Sequence, residues 1–288
     1  MRIYERAYAK INLYLDVTER REDGFHSISS VMQTVGLYDA VTVEAVPAAE
    51  PRITITAHGR YRVPLGETNL AYRAALAYMQ ASSLAFSVRI HIGKRIPVAA
   101  GLGGGSADAA AVLRALDRAA GRRLPKEQLL GVAATLGSDV PFCLLGHTRL
   151  CEGRGERMQV LTPCAAIPTL LLPSSERIST PAAYAALDEA FGGFAVPGAH
   201  GDLPAMLAAL SARDAKATVG ALYNVFEDVI LPTCPEATEN RRRLLSLGAT
   251  ATLMSGSGAT MLGFFETAEA AEAAALALGD RAVSTVTL

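Results

Sequence analysis

Between Gly93 and Gly121 the chain reads GKRIPVAAGLGGGSADAAAVLRALDRAAG, and few folds accommodate such a segment. The alternating run Phe86 to Ile92 ahead of it predicts a strand. The alanine- and leucine-rich stretch behind it predicts a helix stopped at Gly121. Gly101, Gly103, Gly104 and Gly105 lie in the turn, with Ser106 and Asp108 at its end. Glycines leave backbone N–H groups unobstructed, and the helix that follows presents its positive end at the same place. The combination suits the binding of phosphate groups. It is not a Walker A loop, because no Gly-Lys-Ser/Thr closes it. Nor is it a dinucleotide fingerprint, since Ser106 stands where the third glycine of that pattern belongs. A flexible turn at a helix start is the plain alternative.

The remaining chain has the same mixed character. Ile11, Leu13, Leu15 and Val17 are apolar at every second residue, which predicts a half-buried strand with Lys10, Asn12, Tyr14 and Asp16 sharing its other face. That face either lines a cleft or meets solvent. Strands are also predicted at Ile53 to Ala57 and at Thr169 to Leu172. Asn69 is placed to cap a helix running to about Met79, and further helices are expected from about Lys126 and from Glu236 to Leu247. ATLMSGSGATMLGFF reads as a hairpin, followed by an alanine-rich helix and a last strand. This order argues for an α+β second half rather than a Rossmann array.

A length of 288 residues suits two domains, and 50% apolar against 19% charged residues allows a substantial core. The formal net charge of -1, without a basic or acidic tail, argues against a protein whose affinity rests on nucleic-acid phosphates. Cys143, Cys151, Cys164 and Cys234 form no C-x-x-C pair, so reduced thiols in the cytoplasm are expected. Neither a targeting segment nor a membrane span is visible, and a monomer or weak homodimer is expected.

Three further places carry possible chemistry. Gly137 and Pro141 set Asp139 in a tight turn, where an aspartate commonly caps or turns. Paired with Lys10, the same carboxylate would take a hydroxyl proton while the ammonium offsets phosphoryl charge. In Asp23-Gly24-Phe25-His26, a ring and an imidazole either anchor a loop or clamp a flat base. Ser255-Gly256-Ser257-Gly258-Ala259 serves as a hairpin turn or as a second run of donors for a phosphate.

Taken in order, the lysine-bearing first strand, the loop P-x-x-x-G-L-G-x-x-S-A from Pro97 to Ala107 and the late S-G-S-G-A turn resemble the galactokinase, homoserine kinase, mevalonate kinase and phosphomevalonate kinase (GHMP) superfamily. AKINLYLDVTERREDGFHSISSVMQ, PVAAGLGGGSADAAA, LGSDVPFCLLG and GSGATMLG are similar to its diphosphocytidyl-methylerythritol kinase branch, from about residue 5 to beyond residue 260. The resemblance implies the two-domain GHMP-kinase fold, with an N-terminal ATP-binding domain over 1–160 and a ferredoxin-like substrate domain over 161–288. It implies a small-molecule partner, a cytidylated sugar alcohol phosphorylated on its 2-hydroxyl, in the non-mevalonate route to isoprenoid precursors. ATP and Mg2+ are implied as cofactors, the metal arriving with the nucleotide rather than in a protein cage.

Residue by residue, Lys10 and Asp139 match the catalytic pair, with Asp139 as base and in contact with substrate. Gly101, Leu102, Gly103, Gly104, Gly105 and Ser106, with Pro97 ahead of them, match the ATP loop. Lys94 matches the approach to the adenine side. Asn12, Phe25, His26, Thr180, Tyr184, Gly256 and Ser257 match substrate contacts, Tyr184 facing Phe25 across the cytosine. Phe25 stands where tyrosine is common among relatives, which keeps stacking but removes a hydroxyl. The rival readings are another kinase of the superfamily, a catalytically silent sensor that binds nucleotide or sugar, and a nucleotide-binding scaffold.

Overall fold

The computed structural model describes residues 1–176, 178–192 and 200–288. The chain opens with two long strands, β1 (Arg2–Arg20) and β2 (His26–Pro47), followed by β3 (Arg52–Gly59), α1 (Leu70–Ser82) and β4 (Phe86–Lys94). Next come α2 (Gly104–Ala119), α3 (Lys126–Leu136), α4 (Val140–Leu145), β5 (Thr148–Gly153), β6 (Arg157–Val160) and β7 (Pro168–Leu172). Then follow α5 (Thr180–Ala190), α6 (Leu203–Ala212), α7 (Ala215–Gly220), β8 (Tyr223–Asn224), α8 (Glu227–Ile230) and α9 (Pro235–Ser246). The hairpin β9 (Ala251–Met254) and β10 (Met261–Phe264), α10 (Ala268–Leu278) and β11 (Val283–Val286) close the chain.

Two compact units emerge, and their segments interleave. One contains Met1–Lys10, Leu37–Val98 and Gly103–Gly146; the other contains Ile11–Gly36, Ala99–Leu102 and His147–Leu288. The sequence reading set one boundary after residue 160. Compactness divides the chain at more places, because β1 and β2, of 19 and 22 residues, each contribute to both units.

In the first unit, the second half of β2 pairs antiparallel with β4, which pairs parallel with β3. Asn69 Oδ1 accepts from the Ala71 N–H and caps α1, as its position predicts. On α2 the residues Ala109, Ala110, Ala111, Val112, Leu113, Ala115 and Leu116 are all buried, so alanine serves close packing on more than one face. Arg114 breaks that run: its guanidinium donates to Glu5 on β1 and to the Cys143 carbonyl on α4.

In the second unit, the first half of β2 pairs with β5, and β5 with β6, while β1 pairs parallel with β8. A separate antiparallel sheet has the order β11-β7-β10-β9. Its strands and helices follow a β-α-β-β-α-β sequence, the ferredoxin-like arrangement. Leu170, Leu172, Ala183, Leu187, Phe226, Leu244 and Met261 belong to its apolar core. Of the loop FGGFAVPGAHGDLP, residues 193–199 lie outside the described residues.

Of the two readings of the β1 face, cleft or solvent, the solvated one is excluded: Lys10, Asn12, Tyr14 and Asp16 are all buried. The polar members find partners instead: Asn12 donates to Ser30 Oγ at 2.8 Å, and Asp16 accepts from the His200 N–H at 2.7 Å. The described residues include no helix long and apolar enough to cross a membrane.

Candidate active site

In the first unit the site is built on the start of α2. Gly103 is the N-cap, in a left-handed conformation with φ +67°, and the first helical bond runs from the Ala107 N–H to the Gly103 carbonyl. Helix geometry leaves the N–H groups of Gly104, Gly105 and Ser106 without acceptors in the helix, at its positive end. Lys10 lies alongside, since a Cβ on Gly103 would come within 2.9 Å of its Cγ. The Lys10 Nζ stands 3.5 Å from Asp139 Oδ2, with side-chain exposures of 6% and 38%. Asp139 occupies the N-cap position of α4, yet its carboxylate makes no capping bond there and is turned to Lys10 instead. The turn reading of this residue was half of the matter: the backbone turns while the side chain serves the lysine.

Lys94 has a different setting. It is 1% exposed, and its ammonium lies 2.5 Å from Asp39 and 2.7 Å from Asp108, both buried. Burial alone would push the lysine down, but the two carboxylates outweigh it and hold the ammonium above its usual range. Burial also pushes the Asp108 carboxyl up, Lys94 pulling it back and Asp39 adding to the rise. Pro97 is buried beyond it.

The second unit gathers the other matched residues. Gly101 has φ +72°, and a Cβ there would lie 2.3 Å from the Ser255 carbonyl oxygen. Ser255 Oγ in turn donates to the Gly101 carbonyl at 3.2 Å. Leu102 beside it is buried. The turn that presses on Gly101 is held by Asn224, whose Nδ2 donates to the carbonyls of Met254 and Gly256. Gly256 also borders Asn12, whose Oδ1 lies 3.8 Å from where its Cβ would stand. Ser257 Oγ donates to Thr180 Oγ1 at 3.1 Å, joining two matched residues from β9–β10 and α5.

Arg21-Glu22-Asp23-Gly24-Phe25-His26 closes on itself. The Arg21 N–H donates to the Phe25 carbonyl, and Asp23 accepts from Arg21 Nε and from the Phe25 N–H. Phe25 is 51% exposed, with the Arg154 guanidinium 3.8 Å from its ring centre. His26 Nε2 meets Asp188 Oδ1 at 2.7 Å, and its ring stacks on Tyr184 at 4.6 Å. The sequence reading set Tyr184 opposite Phe25; the contact described here is with His26. Asp188 and Tyr184 share one face of α5 at a spacing of four, a signal available in the sequence and not used. Asp39, Arg154 and Asn224 were also missed, and nothing local marks them.

The segment leading into α5 is tied down by Glu236. Its carboxylate accepts from Ser174 Oγ, from the Ser175 N–H and Oγ, and from Arg281. Burial raises this carboxyl, but the donors of Ser175, Ser174 and Arg281 outweigh it and hold the pKa down to about 2. A depressed carboxylate stabilises the fold fully above its unfolded pKa and loses that contribution as pH falls toward its folded value. Glu236→Gln is therefore expected to lower the urea midpoint at pH 7, with the gap from wild type closing as pH falls from about 4.5 toward 2. Urea melts of both proteins across that range check this, and a gap independent of pH would refute it.

Residues 69–147 match the family described as GHMP kinases N terminal domain, and residues 206–284 match GHMP kinases C terminal. A 4-diphosphocytidyl-2-C-methyl-D-erythritol kinase of Synechococcus sp. is 43% identical over 270 residues, covering 92% of this chain and 86% of that protein. One of Clostridium acetobutylicum is 36% identical, covering 93% and 92%. A crystal structure of 4-(cytidine 5'-diphospho)-2C-methyl-D-erythritol kinase aligns with a TM-score of 0.83 at 35% identity, over 99% of each chain.

Proposed function

The chain belongs to the 4-diphosphocytidyl-2-C-methyl-D-erythritol kinases of the GHMP superfamily, and on that premise we propose that it transfers the γ-phosphate of ATP to the 2-hydroxyl of 4-diphosphocytidyl-2-C-methyl-D-erythritol, a step toward isoprenoid precursors. The observation that carries the mechanism is the approach of Lys10 Nζ to Asp139 Oδ2, 3.5 Å apart, with the Lys10 stem against the N-cap of α2. The ATP phosphates lie on the N–H groups of Gly104 to Ser106. The substrate hydroxyl oxygen attacks the γ-phosphorus, the bond to the β–γ bridging oxygen breaks, and ADP leaves. Asp139 receives the hydroxyl proton, and its exposure lets a substrate reach it. Lys10 offsets charge on the transferring group.

Magnesium, when bound with ATP, offsets phosphate charge. The exposed carboxylate of Asp139 would be the side chain on hand for that ion, with the nucleotide phosphates supplying its other oxygens.

The cytosine is held by Phe25, His26 and Tyr184, with Thr180, Ser257, Gly256 and Asn12 along the rest of the substrate. Stacking of a base on an aromatic ring contributes roughly 1–3 kcal/mol. Phe25→Ala is therefore expected to raise the substrate KM by about tenfold or more while the KM for ATP holds, as steady-state kinetics would read. Equal KM values for wild type and variant would take Phe25 out of the site.

ADP release with ATP, magnesium and the cytidylated substrate, beside homoserine and mevalonate, tests the function itself. Release with the cytidylated substrate alone is expected. Release with homoserine or mevalonate alone would replace the substrate assignment, and silence with all three would favour a binding protein without turnover.

A further inference from the structure

We infer that Lys94, Asp39 and Asp108 form a buried clamp that positions the phosphate-binding start of α2, and that Lys94 acts on ATP through this clamp rather than by touching the nucleotide. The inference rests on the ATP-binding reading above and adds three positioning residues to it.

The three side chains come from three elements. Asp39 lies on β2, Lys94 ends β4, and Asp108 is in the second turn of α2. All three are nearly sealed from solvent, with side-chain exposures of 0%, 1% and 3%. Asp39 divides its two oxygens: Oδ2 takes the Lys94 ammonium, and Oδ1 accepts from the N–H groups of Arg95 and Ile96 at 2.5 and 2.8 Å. One carboxylate thus fixes both the lysine and the backbone that enters the loop toward Pro97.

Asp108 is anchored less evenly. Its Oδ2 meets Lys94 Nζ at 2.7 Å, while Oδ1 is buried without a hydrogen-bond partner among the described residues. The ion pair that holds this turn of α2 by its carboxylate therefore runs through the lysine. The ammonium also lies directly under the phosphate-binding turn, 3.1 Å from where a Cβ on Gly104 would stand. A charge held so far inside, with both neighbours anionic, is placed to tie elements together rather than to reach a base.

Displacing a binding group by about 1 Å costs up to a hundredfold in a reaction that depends on alignment. Short of that limit, Asp108→Leu, which leaves Lys94 paired with Asp39, is expected to weaken ATP binding by about tenfold in calorimetry. Asp108→Asn keeps an oxygen for the lysine and is expected to restore affinity to within about threefold of wild type. Lys94→Met removes the same tie and also leaves Asp39 and Asp108 buried without their cation, so it should weaken ATP binding at least as much as Asp108→Leu does. The substrate KM should stay within about twofold, and inhibition by adenosine, which carries no phosphate, should not change.

A folded Asp108→Leu protein with wild-type ATP affinity would overturn the inference. Weakened adenosine inhibition in Lys94→Met, in step with ATP, would overturn it in favour of direct contact with the base. Loss of cooperative melting even in Asp108→Asn would also overturn it, leaving the triad a role in stability only. Wild-type protein that binds no ATP would instead remove the reading on which the clamp depends.

Discussion

Asp139→Asn should abolish turnover while leaving ATP bound. The asparagine keeps the size of the side chain and an oxygen to face Lys10, but an amide cannot take up the substrate proton at neutral pH. Removing a positioned general base costs about 10²–10⁴ in rate, so residual activity near the limit of detection is expected. The carboxylate makes no capping bond to α4, so the exchange should leave the melting temperature close to wild type. Single-turnover ADP formation and ATP calorimetry on the same preparation separate the two effects. A folded variant with wild-type turnover would remove Asp139 from the mechanism; loss of ATP binding would give it a ground-state role instead.

Gly101→Ala should destabilise the second unit strongly. The residue has φ +72°, and the new Cβ would lie 2.3 Å from a backbone oxygen of Ser255, which no side-chain rotation relieves. The left-handed conformation costs about 1–2 kcal/mol for a residue with a Cβ. Forcing the backbones apart adds about 1–3 kcal/mol. A loss of about 3 kcal/mol is the central expectation from these two effects. Gly121→Ala is the control: its φ is +73°, but no atom lies within 4 Å of its added Cβ, so only the conformational cost applies. Urea melts of the two variants should differ by roughly the collision term. Equal losses would show that the turn at Ser255 yields freely.

The local elements that carry the proposed site were legible because they are written in adjacent residues. The glycine run, the helix behind it and the Gly–Ser turn near the end of the chain are short-range patterns, and α2, β9 and β10 form where those patterns place them. The strand from Ile11 to Val17 was legible as well, though not its surroundings. A period of two tells which residues share a face, but not whether a second layer covers that face. In the 22-residue strand β2 only the second half carries a period, with Leu37, Val41, Val43 and Ala45 buried and their neighbours less so, whereas Ser30 to Val35 are buried without alternation and nothing announces them.

Lys94 marks the limit of residue-by-residue matching. Its place just ahead of the glycine loop is plain in the sequence, whereas its two carboxylate partners lie 55 and 14 residues away. The order of motifs was enough to place the chain among kinases, because each motif is a local solution to a local demand: unobstructed N–H groups, a sharp turn, a ring beside an imidazole. Which of those motifs meet is another matter. His26 and Asp188 are separated by 162 residues and Thr180 and Ser257 by 77, and the pairings depend on how strands register and helices seat. Backbone preference acts over a few residues, so the sequence by itself determined the loop, the helix start and the residue types available for chemistry. Charge pairing and burial act through space, so only the tertiary structure decided that Lys10 faces Asp139 and that Lys94 is sealed between two aspartates.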